Sequence, residues 1–233
     1  MTDRLYQTDS YCREIETTVA SGSDQRVVLA DSLFYPQGGG QPGDTGGLSW
    51  PGGQTDVIDT RYGKDGEIEL ILAEGAAMPA AGTRLKAAID WPRRHRLMRI
   101  HTCLHLLSAV LPYPVTGGQV SDGSGRLDFD LPDNPDKQEV EERLNALIKE
   151  DHPVSFRWID ESELDANPQL VKTLSVQPPR GAGQIRLIDI PGVDLQPCGG
   201  THVKRTGEIG AIRIRKIEKK GRQNRRVKLE FAD

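Results

Sequence analysis

The sequence predicts an α+β protein: a small N-terminal β-barrel over residues 1–90, then a domain over residues 91–233 in which helices pack on a largely antiparallel sheet. Three observations carry this expectation. Short runs rich in Val, Ile, Leu and Thr, parted by Gly, Pro, Asp and Ser, fill the stretch before Asp90 at the spacing of a small barrel or sandwich. Apolar residues at helical spacing appear only after Asp90. A chain of 233 residues is long enough for two such units.

Taken in order, the strand candidates are Glu14 to Ala20, Arg26 to Asp31, Gln54 to Thr60, Glu67 to Ala73 and Thr83 to Ile89. Between the second and third lies a glycine-rich segment, Phe34 to Gly47, in which Gln41 and Asp44 stand among residues that let a backbone approach something closely. Asp90-Trp91-Pro92 reads as a helix start, since Asp can cap and Pro fits the first turn. Leu97, Ile100, Leu104, Leu107 and Leu111 continue that helix, and Pro112 and Pro114 end it. Asn134-Pro135-Asp136 repeats the start signal for a second helix through Val140, Leu144, Leu147 and Ile148, ending near Glu150. Strands follow at Val154 to Ile159 and Ile185 to Ile190, with a short helical piece at Glu161 to Ala166. Ala211 to Ile217 and Arg226 to Phe231 alternate apolar and charged residues around Lys220-Gly221-Arg222-Gln223-Asn224, the pattern of a hairpin.

Composition excludes several classes. No stretch approaches the roughly 18 to 20 apolar residues that a membrane span needs, and the N-terminus has no basic start leading into an apolar run. The expectation is a cytoplasmic protein with no membrane contact and no evident obligate protein partner. Cys12, Cys103 and Cys198 are odd in number and far apart, so reduced thiols are expected, with Cys12 and Cys103 as packing residues. The net charge of -4 hides an asymmetry: from Val203 to Lys228 there are eleven basic residues against two acidic ones. Such a surface suits phosphates, although a solvated hairpin would look the same.

His101 and His105 stand one helical turn apart, so both imidazoles leave one face and can meet one ion. Cys198-Gly199-Gly200-Thr201-His202 has the same offset but reads as a turn. Together they offer a thiolate and three imidazoles, a donor set suited to tetrahedral zinc. Glu208 and Asp194 are the carboxylates nearest these motifs, read as a turn residue and a surface or outer-shell group.

These motifs, His101 to Leu107 and Cys198 to Val203 followed by Thr206-Gly207-Glu208-Ile209-Gly210, occur with Phe34 to Gly46 and Arg126-Leu127-Asp128-Phe129-Asp130 upstream and between them. In that order they resemble the editing domain of alanyl-tRNA synthetase, and most closely the freestanding AlaX editing proteins of medium length. The resemblance covers nearly the whole chain. It implies a zinc-containing deacylase domain at 91–233 that hydrolyses serine, and possibly glycine, wrongly attached to alanine tRNA. The family's zinc ligands, which are also its catalytic centre, fall on His101, His105, Cys198 and His202. Gln41 corresponds to the barrel element that leans toward the editing pocket, and Gln119 to a pocket-lining segment for which Thr116 or Ser121 are alternatives.

A pocket that prefers serine to alanine needs a polar group for the hydroxyl; Gln41, Thr102, Thr116 and Gln119 are the candidates. Binding of tRNA falls to Arg213, Arg215, Lys216, Lys219, Lys220, Arg222, Arg225 and Arg226, with Arg93, Arg94, Arg96 and Arg99 on the preceding helix as further phosphate contacts. Two other readings fit the same residues: a zinc-stabilised RNA-binding module without hydrolysis, and editing of serine on threonine tRNA.

Overall fold

The computed structural model describes residues 3–64, 66–174 and 183–232. It divides into two compact units, Met1–His95 and Arg96–Asp233, with the division falling inside a helix.

The first unit is a closed six-stranded antiparallel barrel preceded by a short N-terminal segment. That segment comprises β1 (Asp3–Arg4) and a single helical turn, α1 (Leu5–Thr8). The strands that follow are β2 (Glu14–Ser23), β3 (Arg26–Leu29), β4 (Asp31–Ser32), β5 (Gly46–Trp50), β6 (Gly53–Tyr62), β7 (Ile68–Leu72) and β8 (Arg84–Ile89). The barrel order is β2-β3-β7-β6-β5-β8, and β1 pairs with β4 outside it. Alternation sets the inside: in β8, Leu85, Ala87 and Ile89 are buried while Arg84 and Lys86 are exposed. Closure leaves no free edge in the barrel.

β5 lies outside the expected strands, because Gly46-Gly47-Leu48-Ser49-Trp50 lacks the β-branched signature. Glycine is needed there for proximity, since a Cβ on Gly46 would run into the carbonyl of Ala88 on β8. The preceding glycine-rich segment makes a tight turn at Gly39 and Gly40, with φ of 53° and 82°, closed by backbone bonds between Gly38 and Gln41 of 3.1 and 2.9 Å.

Asp44, singled out by its place among glycines, belongs to the core of this unit. Its carboxylate accepts from the Tyr35 amide at 2.6 Å and from Arg94 Nε at 2.9 Å. Arg94 is fully buried and also donates to the carbonyls of Ser10, at 3.1 Å, and Leu33, at 2.8 Å. The expectation that Arg94 meets phosphate is therefore corrected: its guanidinium is spent inside the protein. A buried pair of this kind is tolerated only because its donors find acceptors.

The second unit contains most of α2 (Trp91–Val110), together with β9 (Val115–Ser121), β10 (Ser124–Asp130), α3 (Lys137–Lys149), β11 (Ser155–Asp160), α4 (Glu161–Ala166), β12 (Gln184–Ile190), β13 (Asp194–Pro197), β14 (Ile212–Lys219) and β15 (Asn224–Phe231). The two helix starts follow their caps: Asp90 Oδ1 accepts the Arg93 amide at 3.1 Å, and Asp136 Oδ1 accepts the Glu139 amide at 2.8 Å. From Ile100 to Ser108 every residue of α2 is buried, so this stretch runs enclosed in the core.

Two antiparallel sheets form, of order β14-β15-β10-β9 and β11-β12-β13. The hairpin β9–β10 and the short β13 have no counterpart among the expected strands, as Gly117-Gly118 interrupts the pattern in β9. On the four-stranded sheet the inner face carries Leu127, Phe129, Val227 and Leu229. Ile100 and Leu104 of α2 lie against that face, close to where a Cβ on Gly125 would stand. Among the described residues no helix is long and apolar enough to cross a membrane.

Candidate metal centre

The centre is assembled from the enclosed part of α2 and the turn that follows β13. α2 presents His101 and His105, exposed by only 7% and 6%. The turn Cys198 to His202 is held by one side chain, Arg186 of β12, whose Nη1 donates to the carbonyls of Cys198 at 3.0 Å and Gly200 at 2.9 Å. The Cys198 amide returns a bond to the Arg186 carbonyl at 3.0 Å. The two glycines let the chain fold tightly enough for the Gly200 amide to approach the Cys198 sulfur at 3.4 Å.

Four potential donor atoms, one each from His101, His105, Cys198 and His202, lie within 4.8 Å of one another. Cys198 Sγ is 3.5 Å from His101 Nε2 and 3.3 Å from His202 Nε2. Tetrahedral bonds of zinc to nitrogen and sulfur, about 2.0 to 2.3 Å long, separate ligand atoms by roughly 3.3 to 3.8 Å. Both sulfur–nitrogen separations fall in that range, and the donor set fits a small tetrahedral cation.

An outer ring of polar groups orients these donors. His105 Nδ1 lies 2.8 Å from Asp194 Oδ2, which leaves Nε2 to face the centre. Asp194 is held from two more sides, by an ion pair with Lys172 and by Gln196 Nε2 at 2.8 Å. Gln196 Nε2 also donates to Ser108 Oγ at 3.1 Å, tying β13 back to α2. His202 Nδ1 lies 3.1 Å from Thr102 Oγ1, which in turn accepts the Val203 amide at 3.3 Å.

The electrostatics place negative charge at the cluster, on Cys198 and Asp194. Burial alone would raise the Cys198 thiol, but His101 and His202 beside it outweigh burial and hold it well below its usual range. Burial, with His101 nearby, pushes His202 down to about 3, keeping its ring neutral. Burial also opposes charge on His105, yet the Asp194 carboxylate and the Cys198 sulfur raise it to about 9. Asp194 is lowered to about 2 against the effect of burial, by His105 and Lys172. An anionic sulfur among three imidazoles, backed by an anionic carboxylate, is a donor set for a divalent cation.

The four ligand candidates are therefore brought together, and Thr102 lies against one of them. Thr102 is fully buried and its hydroxyl is engaged by His202 and Val203, so it positions a ligand and cannot present a hydroxyl to substrate. Thr116 is half-buried, its hydroxyl donating to the Asp128 carbonyl at 3.2 Å. Gln119 is exposed on the outer face of the four-stranded sheet, with its Oε1 3.3 Å from Arg126 Nε. It lines a shallow pocket there with Ser121, Ser124, Arg126, Arg215 and Lys228. Gln41 is buried within the first unit. Glu208 is a turn residue, accepting the amides of Lys204 at 3.0 Å and Arg205 at 3.1 Å.

Of the basic residues expected on the tRNA-binding surface, Arg213, Arg215, Lys216, Lys219, Lys220 and Arg222 are exposed. Glu230 pairs with Arg213 at 2.7 Å, and Glu218 with Lys216 at 3.1 Å and Lys220 at 3.6 Å. Arg225 and Arg226 are less exposed. Arg225 is 4% exposed and donates to the carbonyls of Pro132, Gly221 and Asn224, so its charge is turned inward. Arg226 grips Asp128 through two bonds of 2.8 Å. On α2, Arg93 donates to the Gly43 carbonyl at 2.8 Å, while Arg96 and Arg99 cover the Phe231 ring.

The residues missed by sequence reasoning are Lys172, Gln196, Ser108 and Arg186. One signal was legible: Asp194 and Gln196 alternate along β13 and end two residues before Cys198, so both share the face from which the turn departs.

Comparison with known proteins gives a consistent set of relatives. The family described as "Threonyl and Alanyl tRNA synthetase second additional domain" matches residues 185–228, and that described as "tRNA synthetases class II (A)" matches residues 8–93. The alanyl-tRNA editing protein AlaX-M of Methanosarcina acetivorans is 36% identical, with all of both chains covered. AlaX-M of Saccharolobus solfataricus is 35% identical over 97% of this chain and 98% of its own. An alanine–tRNA ligase of Pyrobaculum neutrophilum is 35% identical over 94% of this chain but only 25% of its own length.

Proposed function

The chain belongs to the AlaX family of alanyl-tRNA editing proteins, and from that premise we propose that it is a zinc-dependent aminoacyl-tRNA deacylase that removes serine from mischarged alanine tRNA. The observation that carries this reading is the cluster of Cys198 with three buried imidazoles, His101, His105 and His202, whose donor set suits tetrahedral zinc. His101, His105 and His202 would hold the ion through nitrogen and Cys198 through its thiolate sulfur. A zinc ion there would supply Lewis-acid polarisation for hydrolysis of the ester that joins an amino acid to a ribose hydroxyl.

The chain's own residues do the rest. Asp194 fixes the ring plane and tautomer of His105, and Thr102 holds the ring of His202 in place, so the donors are preorganised. Selection of serine over alanine is favourable in principle, because a polar group that binds the hydroxyl is left unpaired when alanine enters. Exposed cations of β14 and the following turn, Arg213, Arg215, Lys216, Lys219, Lys220 and Arg222, would meet tRNA phosphates.

The test is direct. Purified, zinc-loaded protein is incubated with seryl-tRNA(Ala), with alanyl-tRNA(Ala) and seryl-tRNA(Thr) as comparisons, and ester loss is followed. Rapid loss from the first substrate alone supports the reading. Loss confined to the third reassigns the substrate, and loss equal to buffer in all three leaves an RNA-binding module.

A further inference from the structure

Phe156 and Trp158 stand two residues apart on β11 and so project from one face of the three-stranded sheet. Both are exposed, at 38% and 39%, on a strand that forms the edge of that sheet. The opposite face of β11 anchors the strand, with Ile159 buried among Leu164, Ile185 and Leu187. The two aromatic rings are left partly open to solvent. Single exposed apolar residues are ordinary on protein surfaces, but two details set this pair apart.

The guanidinium of Arg186 lies 4.8 Å from the centroid of the Phe156 ring. The same guanidinium holds the carbonyls of Cys198 and Gly200. One side chain thus separates the aromatic ring from the turn that carries Cys198. The start of the strand is tied to the far end of that turn as well: the Val154 amide donates to the Lys204 carbonyl at 2.8 Å, and Pro153 bridges to Arg205. Lys204 and Arg205 are exposed where strand and turn meet.

We propose that Phe156 and Trp158 form a stacking platform for the unpaired nucleobases at the 3′ end of the RNA substrate. The proposal rests on the reading of the protein as an aminoacyl-tRNA deacylase, which is what brings a single-stranded RNA end to the cluster. The ester to be cleaved sits on the ribose of the terminal nucleotide, so a base held beside the ligand turn places the ester at that turn. Aromatic faces next to guanidinium groups are the combination that binds single-stranded nucleic acid without reading its sequence. Lys204 supplies positive charge for the adjoining phosphates. Because Arg186 touches both the platform and the ligand turn, base binding and the geometry of the metal centre share one side chain.

The experiment uses the full zinc-loaded chain and two probes: a short RNA carrying the single-stranded CCA end with a free 3′ hydroxyl, and seryl-tRNA(Ala). Loss of one stacked base is worth about 1 to 3 kcal/mol, so Trp158→Ala and Phe156→Ala should each weaken binding of the short RNA about tenfold. KM for the tRNA should rise in parallel while kcat falls far less. The dependence of binding on salt should match that of the parent, since no phosphate contact is removed, and Trp158→Phe should recover most of the affinity. Zinc content is measured alongside. If Phe156→Ala loses metal through its contact with Arg186, then Trp158→Ala, which leaves that contact intact, carries the test.

Unchanged Kd and KM in Trp158→Ala would overturn the proposal. So would a parent protein that sediments as a dimer and becomes a monomer on Trp158→Ala, which would assign the face to a second copy of the chain. A parent that binds the short RNA yet hydrolyses no aminoacyl-tRNA would sink the deacylase reading and leave the platform standing. Hydrolysis that is indifferent to both aromatic substitutions would do the reverse.

Discussion

The metal cluster and the outer face of the four-stranded sheet are both rich in ionisable groups, yet they are built on opposite principles. At the cluster two of the three imidazoles have an identified orienting partner, Asp194 for His105 and Thr102 for His202, and the rings are nearly inaccessible. On the sheet, Arg213, Lys216 and Lys220 share two carboxylates, Glu218 and Glu230, and stay largely exposed. The first arrangement is over-determined, so removing one member leaves the others buried and unpaired. The second is distributed and exchangeable, and its surface pairs contribute little each. The comparison teaches where a single substitution should be decisive and where only an accumulated, salt-dependent change should appear.

The largest effect is expected at the ligands. Cys198→Ala or His105→Ala should abolish stoichiometric zinc binding by elemental analysis, and full occupancy in both variants would remove the distinction between the two regions. Close behind comes the buried Arg94–Asp44 pair of the barrel unit, which follows the same over-determined logic without a metal. Breaking such a pair costs about 3 to 5 kcal/mol, so Arg94→Ala should lower stability by that much in urea titration; a change below 1 kcal/mol would contradict the logic. Asp194→Asn keeps the shape but weakens the grip on His105, and loss of such an outer-shell partner typically costs about 10- to 100-fold in metal affinity, measurable by chelator competition.

A smaller effect belongs to Asp128, which lies between the two regions in character. Burial raises its carboxyl, but bonds from Arg226 and Arg126 win and hold it below its usual value. A depressed folded pKa means that the unfolded chain binds the proton first as pH falls. The stabilisation is thus complete above the ordinary aspartate value and disappears as pH drops through the depressed one. Melting curves from pH 6 downward should show a shallower fall for Asp128→Asn than for the parent. The smallest effect is Lys219→Ala on the sheet face: a modest weakening of tRNA binding, with the slope of affinity against salt reduced by about one counterion.

Much of this contrast was legible in the sequence, though unevenly. The His101/His105 pair on a helix and the Cys198/His202 turn announce themselves, because metal ligation demands particular residue types at particular offsets. β8 and β15 are readable because alternation places one face inward. β5 and β9 are hidden, since glycines chosen for close approach erase that alternation. Arg94 and Arg225 illustrate the deeper limit. An arginine in a basic run looks like a phosphate contact, and only tertiary structure reveals that Asp44 claims the one guanidinium and backbone carbonyls the other. Lys172 and Ser108 were invisible for the same reason, as they reach the cluster from stretches of ordinary composition.

The most direct test of the central claim follows the rate of ester loss from seryl-tRNA(Ala) while zinc is titrated back into chelator-stripped protein. A rate that rises in proportion to bound zinc and levels off at one ion per chain is the result the account predicts. A rate that is the same in stripped and reloaded protein would contradict it.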